Sequence, residues 1–184
     1  MVATIGLTGL RPDPARVQEI ASPPYDVIKP GTPLETLLSQ QANSLFHIIL
    51  GDEPAAARDR MVGDGSLVED QEPAYYVYEQ TWDGGQRTGV FVAAEVSPYE
   101  SKQIIRHEKT FDSKVKGRLA MRHATGLHIG PVFVLTRAPI ASALERAKQE
   151  AAPLYDFTSE FGGASELEGI GNKVWRVPEG SETG

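Results

Sequence analysis

The chain has 184 residues and 20.0 kDa, with 40% hydrophobic and 23% charged residues, enough for one domain that buries most of its apolar surface. It contains no cysteine, which excludes disulfides, thiolate metal sites and cysteine nucleophiles. A net charge of −7 and a pI near 5.1 argue against coating of nucleic acid, and no apolar run approaches the ~20 residues of a bilayer span. The amino terminus lacks the basic and long apolar regions of a signal peptide, so a cytoplasmic location is expected.

Ala3 to Leu10 is a short apolar stretch suited to a strand, after which Pro12 and Pro14 impose extended or turn geometry. In Ser22-Pro23-Pro24-Tyr25-Asp26-Val27-Ile28 the two prolines fix the backbone and present Tyr25 and Asp26 from a rigid turn. That turn is either a structural corner with Tyr25 packed beneath it or a site loop whose Asp26 faces a ligand. Thr32-Pro33-Leu34-Glu35 starts a helix, with Thr32 as cap, Pro33 at the first position and Glu35 reaching back. Leu34, Leu37 and Leu38 continue it at helical spacing.

The run from Ser44 to Leu50 is short and apolar, and a strand is expected there, with His47 as a satisfied core residue. A helix from Pro54 through Met61 ends near Asp64-Gly65. Ala74 to Trp82 is aromatic and β-branched, Asp83-Gly84-Gly85 marks a turn, and Gly89 to Val96 supplies the return strand. Asp112 or Ser113 can cap a helix running to about Ala124, closed by Gly126. Gly130 to Thr136 reads as a buried strand. Pro139 opens an amphipathic helix with Ile140, Ala143, Leu144 and Ala147 inward, stopped by Pro153. Tyr155 to Thr158 and Lys173 to Val177 read as two strands joined through Gly169-Ile170-Gly171. The fold expected is a single α+β domain over residues 1–177, a mixed or mostly antiparallel sheet with packed helices. A polar, disordered tail is expected over 178–184.

Charge is unevenly distributed. Between Lys102 and Arg122 seven basic residues face two acids, a local +5 that leaves −12 for the remainder. An acidic protein that gathers cations into one segment has the makings of an anion site. Lys114, Arg118 and Arg122 recur every four residues and share a helix face, where like charges repel by a few tenths of a kcal/mol per pair. Ahead of them stands Arg106-His107-Glu108-Lys109-Thr110. Guanidinium and ammonium groups suit phosphate or carboxylate oxygens. His107 and Glu108 are titratable groups able to act as general acid or base, or to hold Mg²⁺ against a phosphate. The alternative is a charged surface segment leading into a solvated helix. If residues 104–110 are extended, His107 and Lys109 lie on one face and Arg106, Glu108 and Thr110 on the other, placing the segment at a sheet edge or pocket rim. Neither a phosphate-binding G-x-x-x-x-G-K-[ST] loop nor a G-x-G-x-x-G fingerprint occurs. The scattered histidines His47, His107, His123 and His128 make no metal motif, and no metal-ligating residue is assigned.

Taken together and in order, Ser22–Ile28, Tyr76-Val77-Tyr78-Glu79-Gln80, Ile105–Thr110, Lys116-x-Arg118, Gly130–Phe133 and Trp175-Arg176-Val177 resemble the family catalogued as domain of unknown function 1015. The resemblance covers roughly residues 8 to 178 and matches the amino-terminal half of members that are usually about twice this length. It implies that a second half carries an Asp-Gly-His-His-Arg-Tyr segment similar to the phosphate-binding turn of the ParB and sulfiredoxin fold, which includes free-serine kinases. This chain stops before that segment.

The functional expectation is a site for a phosphorylated small molecule or nucleotide, extending to phosphotransfer onto a small metabolite, with or without Mg²⁺. Tyr25, Arg106, Lys109, Thr110, Lys114 and Arg118 would bind the ligand, and His107, Glu108 and Asp26 would carry chemistry. The alternative is a non-catalytic binding or regulatory domain that needs a carboxy-terminal partner; the partners expected are that domain or a second copy of the chain.

Overall fold

Aromatic and β-branched residues pack well on a pleated surface, and Ala74 to Trp82, rich in both, forms the central strand. The computed structural model describes residues 2–106 and 109–180. In chain order the strands are β1 (Thr4–Ile5), β2 (Leu10–Pro12), β3 (Leu67–Glu69), β4 (Ala74–Trp82), β5 (Gly85–Phe91), β6 (Ala93–Ala94), β7 (Tyr155–Thr158) and β8 (Gly171–Pro178). The helices are α1 (Val17–Ile20), α2 (Pro33–Gln40), α3 (Phe46–Ile49), α4 (Pro54–Gly63), α5 (Asp112–Thr125) and α6 (Ala141–Glu150). The main sheet runs β5-β4-β8-β7, and β1-β6 and β2-β3 form two small ladders; every one of these pairings is antiparallel. The fold is α+β, as expected.

Val77 lies opposite Trp175, and Tyr75 opposite Val177, so their side chains share one face of the sheet. Leu144 and Ala147 of α6 pack on that face, together with Val77, Trp175 and Val177. Lys148 fastens the contact, with its ammonium 2.7 Å from Glu79 of β4 and 2.6 Å from Glu145.

Away from the sheet, the helices enclose two further apolar clusters. Ile28, Leu34, Leu38, Phe46 and Phe161 make one; Ile20, Ile48, Met61 and Leu67 make the other. The cap of α2 forms as its sequence dictates: Thr32 Oγ1 accepts from Glu35 N–H at 3.4 Å, and the Glu35 carboxylate accepts from Gly31 N–H at 2.6 Å.

The strand expected over residues 44–50 is instead a single helical turn, α3. Its Phe46 and Ile49 face the first cluster, and Leu45 and Ile48 face the second. Apolar on all sides because it is wedged between two clusters, it has no periodicity to tell it from a buried strand. His47 is a satisfied structural residue, its Nε2 3.0 Å from Gln41 O and its ring edge-on to Phe46.

Three other boundaries are corrected. Residues 130–136 join no ladder among the described residues, and Val132 to Leu135 are 60–84% exposed. The return strand of the hairpin begins at Gly85, directly after the Asp83-Gly84 turn, and breaks at Val92 so that Ala93 and Ala94 pair with β1. The tail expected from Pro178 is structured at its start. Pro178 pairs with Ala74, Glu179 N–H donates to Pro73 O at 3.0 Å, and the Glu179 carboxylate accepts from Gly6 N–H at 3.2 Å. Residues 181–184 lie outside the described part.

Candidate functional site

The Pro-Pro-Tyr-Asp block forms a turn closed by Val27 N–H to Pro24 O at 3.0 Å. Pro23 and Ile28 are buried on either side, Ile28 in the first apolar cluster, so the turn is anchored at both ends. Tyr25 projects half-buried from it, and Asp26 is exposed.

Helix α5 arrives opposite. Its cap is Phe111, whose carbonyl accepts from Lys114 and Val115 N–H; Asp112, expected as cap, is the first helical residue, where a carboxylate complements the positive end of the helix. The far end closes on Gly126, at φ 71°, as expected. Arg58 of α4 donates to Thr125 O, and Thr125 is fully buried, so this end is pinned to α4.

The two elements meet over the Tyr25 ring. The Lys114 ammonium lies 5.0 Å from the ring centroid and the Arg118 guanidinium 4.4 Å. Each such contact contributes about 0.5–1 kcal/mol at an exposed position, more than the few tenths lost to repulsion between neighbouring cations of the helix. The ring thereby accounts for the stacking of like charge without any bound anion. Arg118 is held further by donating to Ile129 O at 3.2 Å and by Gly130: a Cβ at residue 130 would lie 2.8 Å from its Nη1. Gly130 sits at φ 76°, where a side chain is strained as well as obstructive. Arg122 is engaged elsewhere, donating to His128 Nδ1 at 3.1 Å.

Between the turn and α5 is a cleft of about 270 Å³. Tyr25, Ser113, Lys114 and Arg118 make its polar side. Ile49, Gly117, Met121 and Ile129 make the rest, and the sequence assigns a site role to none of these four or to Ser113. One signal was legible: Gly117 interrupts a helix interior at a cost of about 1 kcal/mol relative to alanine, and a Cβ there would meet nothing within 4 Å. No local packing requires a glycine at that position.

The basic residues divide into those with a carboxylate partner and those without, and among the described residues the second group includes Lys29, Arg87, Arg137 and Arg146 elsewhere as well as the cations of this face. Arg11, Arg16, Arg58, Arg60, Lys148, Lys173 and Arg176 are each ion-paired with a carboxylate. Lys114, Arg118 and Arg122 are in no ion pair among the described residues. The arrangement is an anchored guanidinium and an ammonium at the rim of a largely apolar cleft, suited to holding an anionic oxygen group.

Of the residues singled out in the sequence, Tyr25, Lys114 and Arg118 are brought together. Asp26 belongs to the same turn but does not line the cleft. Arg106, Lys109 and Thr110 are exposed and do not line it either, and the described residues of 104–110 join no strand. His107 and Glu108 lie outside the described residues. Among the described residues no three His, Asp or Glu side chains are grouped so as to hold a metal ion, and no helix is long and apolar enough to cross a membrane.

The family model described as a protein of unknown function (DUF1015) matches residues 5–183. No curated protein and no solved structure matches the chain.

Proposed function

The chain belongs to the DUF1015 family of proteins of unknown function, and from that premise we propose that it binds a small phosphorylated molecule or nucleotide between the Tyr25 turn and α5. One observation carries the reading. Lys114 and Arg118, without carboxylate partners among the described residues, converge on Tyr25 at the rim of the 270 Å³ cleft. A guanidinium fixed by Ile129 O and Gly130 has little freedom left to lose when it binds, which favours affinity. Phosphotransfer onto a small metabolite would additionally need an acid or base. The sequence offers His107 and Glu108 for it, and the binding proposal does not depend on them.

The test is a thermal-shift screen of nucleotides and phosphorylated metabolites, with and without Mg²⁺. A ligand at a hundred times its Kd adds about 2.7 kcal/mol, some 5–10 °C for a domain of this size. A hit whose shift disappears in Lys114→Ala/Arg118→Ala supports the site; a hit that survives that change removes it.

A second reading rests on a separate observation, the exposed Val132-Phe133-Val134-Leu135 run. Such a run suits an interaction domain that is covered by a carboxy-terminal partner or a second copy. Sedimentation of the chain, with Val134→Glu alongside, tests it. Association that the substitution abolishes supports self-assembly, whereas a monomer in both leaves only a separate partner.

A further inference from the structure

This inference rests on the anion-binding reading and asks what the anion is attached to. Lys114 and Arg118 occupy only one rim of the cleft, while Ile49, Met121 and Ile129 offer it no charge. A bare phosphate held by the two cations would leave that apolar side in contact with water. Ser113, Gly117 and Met121 follow one another at intervals of four residues, so one continuous stripe of α5 faces the cleft. Gly117, midway along it, has open space where a side chain would stand. Gly117 lines the same cleft as Ile49 and Ile129, so a bulkier residue at 117 probes that space. We infer that the cleft takes a small amphiphilic anion, an anionic group on Lys114 and Arg118 joined to an apolar or flat ring body seated over Gly117 against Ile49, Met121 and Ile129.

At about 270 Å³ the cleft lies just below the usual range for small-molecule sites, which favours a compact ligand with one ring over an extended dinucleotide. The cleft's chemistry does not require the ring to be a nucleobase. An aryl phosphate and a nucleoside monophosphate share the chemistry, and separate probes distinguish them.

The experiment is calorimetric titration of the full chain with phenyl phosphate, AMP, ribose 5-phosphate and inorganic phosphate, repeated on Gly117→Leu and on Lys114→Ala/Arg118→Ala. Phenyl phosphate, AMP or both should bind at least about tenfold tighter than ribose 5-phosphate and inorganic phosphate, which is one decade in Kd. Gly117→Leu should remove that advantage, bringing phenyl phosphate and AMP down to the affinity of inorganic phosphate, and raise Tm, since leucine favours helix over glycine. Should Gly117→Leu not fold, Gly117→Ala tests the same loss with a smaller group. Equal affinity for all four phosphates, abolished by the double substitution, would overturn the inference while leaving the anion site standing. Binding of none of the four, or binding untouched by the double substitution, would overturn both.

Discussion

Gly130 and Arg118 define each other. Substituting Gly130→Ala places a methyl where the guanidinium now lies and forces a side chain into φ 76°. The backbone strain alone should cost about 1–2 kcal/mol, and the displaced Arg118 should lose its place over Tyr25, weakening phosphate-ligand binding several-fold. Chemical denaturation and titration check the two effects separately; a stable variant with intact binding would show that Arg118 needs no anchor. By contrast, Lys114→Ala should cost under about 1 kcal/mol, since it removes one exposed cation–π contact. At the end of α4, Asp64 is a structural carboxylate. It accepts from Ser66 Oγ and Ser66 N–H, and these bonds, with Arg16 and Arg60 nearby, outweigh burial and hold its pKa below the ordinary carboxylate value. A depressed folded pKa contributes stability above the unfolded value, and that contribution is lost as pH falls through the folded one. Asp64→Asn should therefore be less stable than the native chain at neutral pH. Denaturation curves taken down through about pH 4 and below should show the difference closing; a difference constant with pH would assign its origin to shape and not to charge.

At the scale of elements, α6 is held to the sheet by apolar packing and by Lys148, whose side chain and that of Glu79 are 12% and 14% exposed. Burial works against the charge on Lys148, and its hydrogen bonds to Glu145 and Glu79 overcome this and raise its pKa. Lys148→Met should cost about 1–3 kcal/mol by leaving Glu79 largely buried without its cation; Glu79→Gln/Lys148→Met together should recover part of that loss in denaturation. The elements that sequence made legible were those whose cues are local. Thr32-Pro33 starts α2, Gly126 ends α5, and Asp83-Gly84 turns the hairpin because caps and turns are decided within a few residues. The misreadings share a cause. Residues 44–50 and 130–136 are both short apolar runs, and what surrounds such a run decides its form: two clusters enclose the first, and no strand pairs with the second. The candidate cleft was legible to the same extent. Tyr25, Lys114 and Arg118 could be named from a rigid turn and a four-residue spacing, whereas Ile49 and Ile129 reach the cleft only through tertiary packing.

Across the whole molecule, a basic segment of +5 is carried on a body of −12. Long-range repulsion from that body should exclude polyanions while a small anion still reaches two local cations. The chain should therefore pass through a DNA column unretained at moderate salt; retention that weakens steeply with salt would replace the small anion with nucleic acid. The most direct test of the anion site follows backbone amide shifts by NMR during titration with phenyl phosphate. Shifts should concentrate at Tyr25, Ile49, the Ser113–Arg118 turn of α5, Met121 and Ile129, and should vanish in Lys114→Ala/Arg118→Ala. Absence of shifts at millimolar ligand, or shifts centred elsewhere on the surface, would contradict the site.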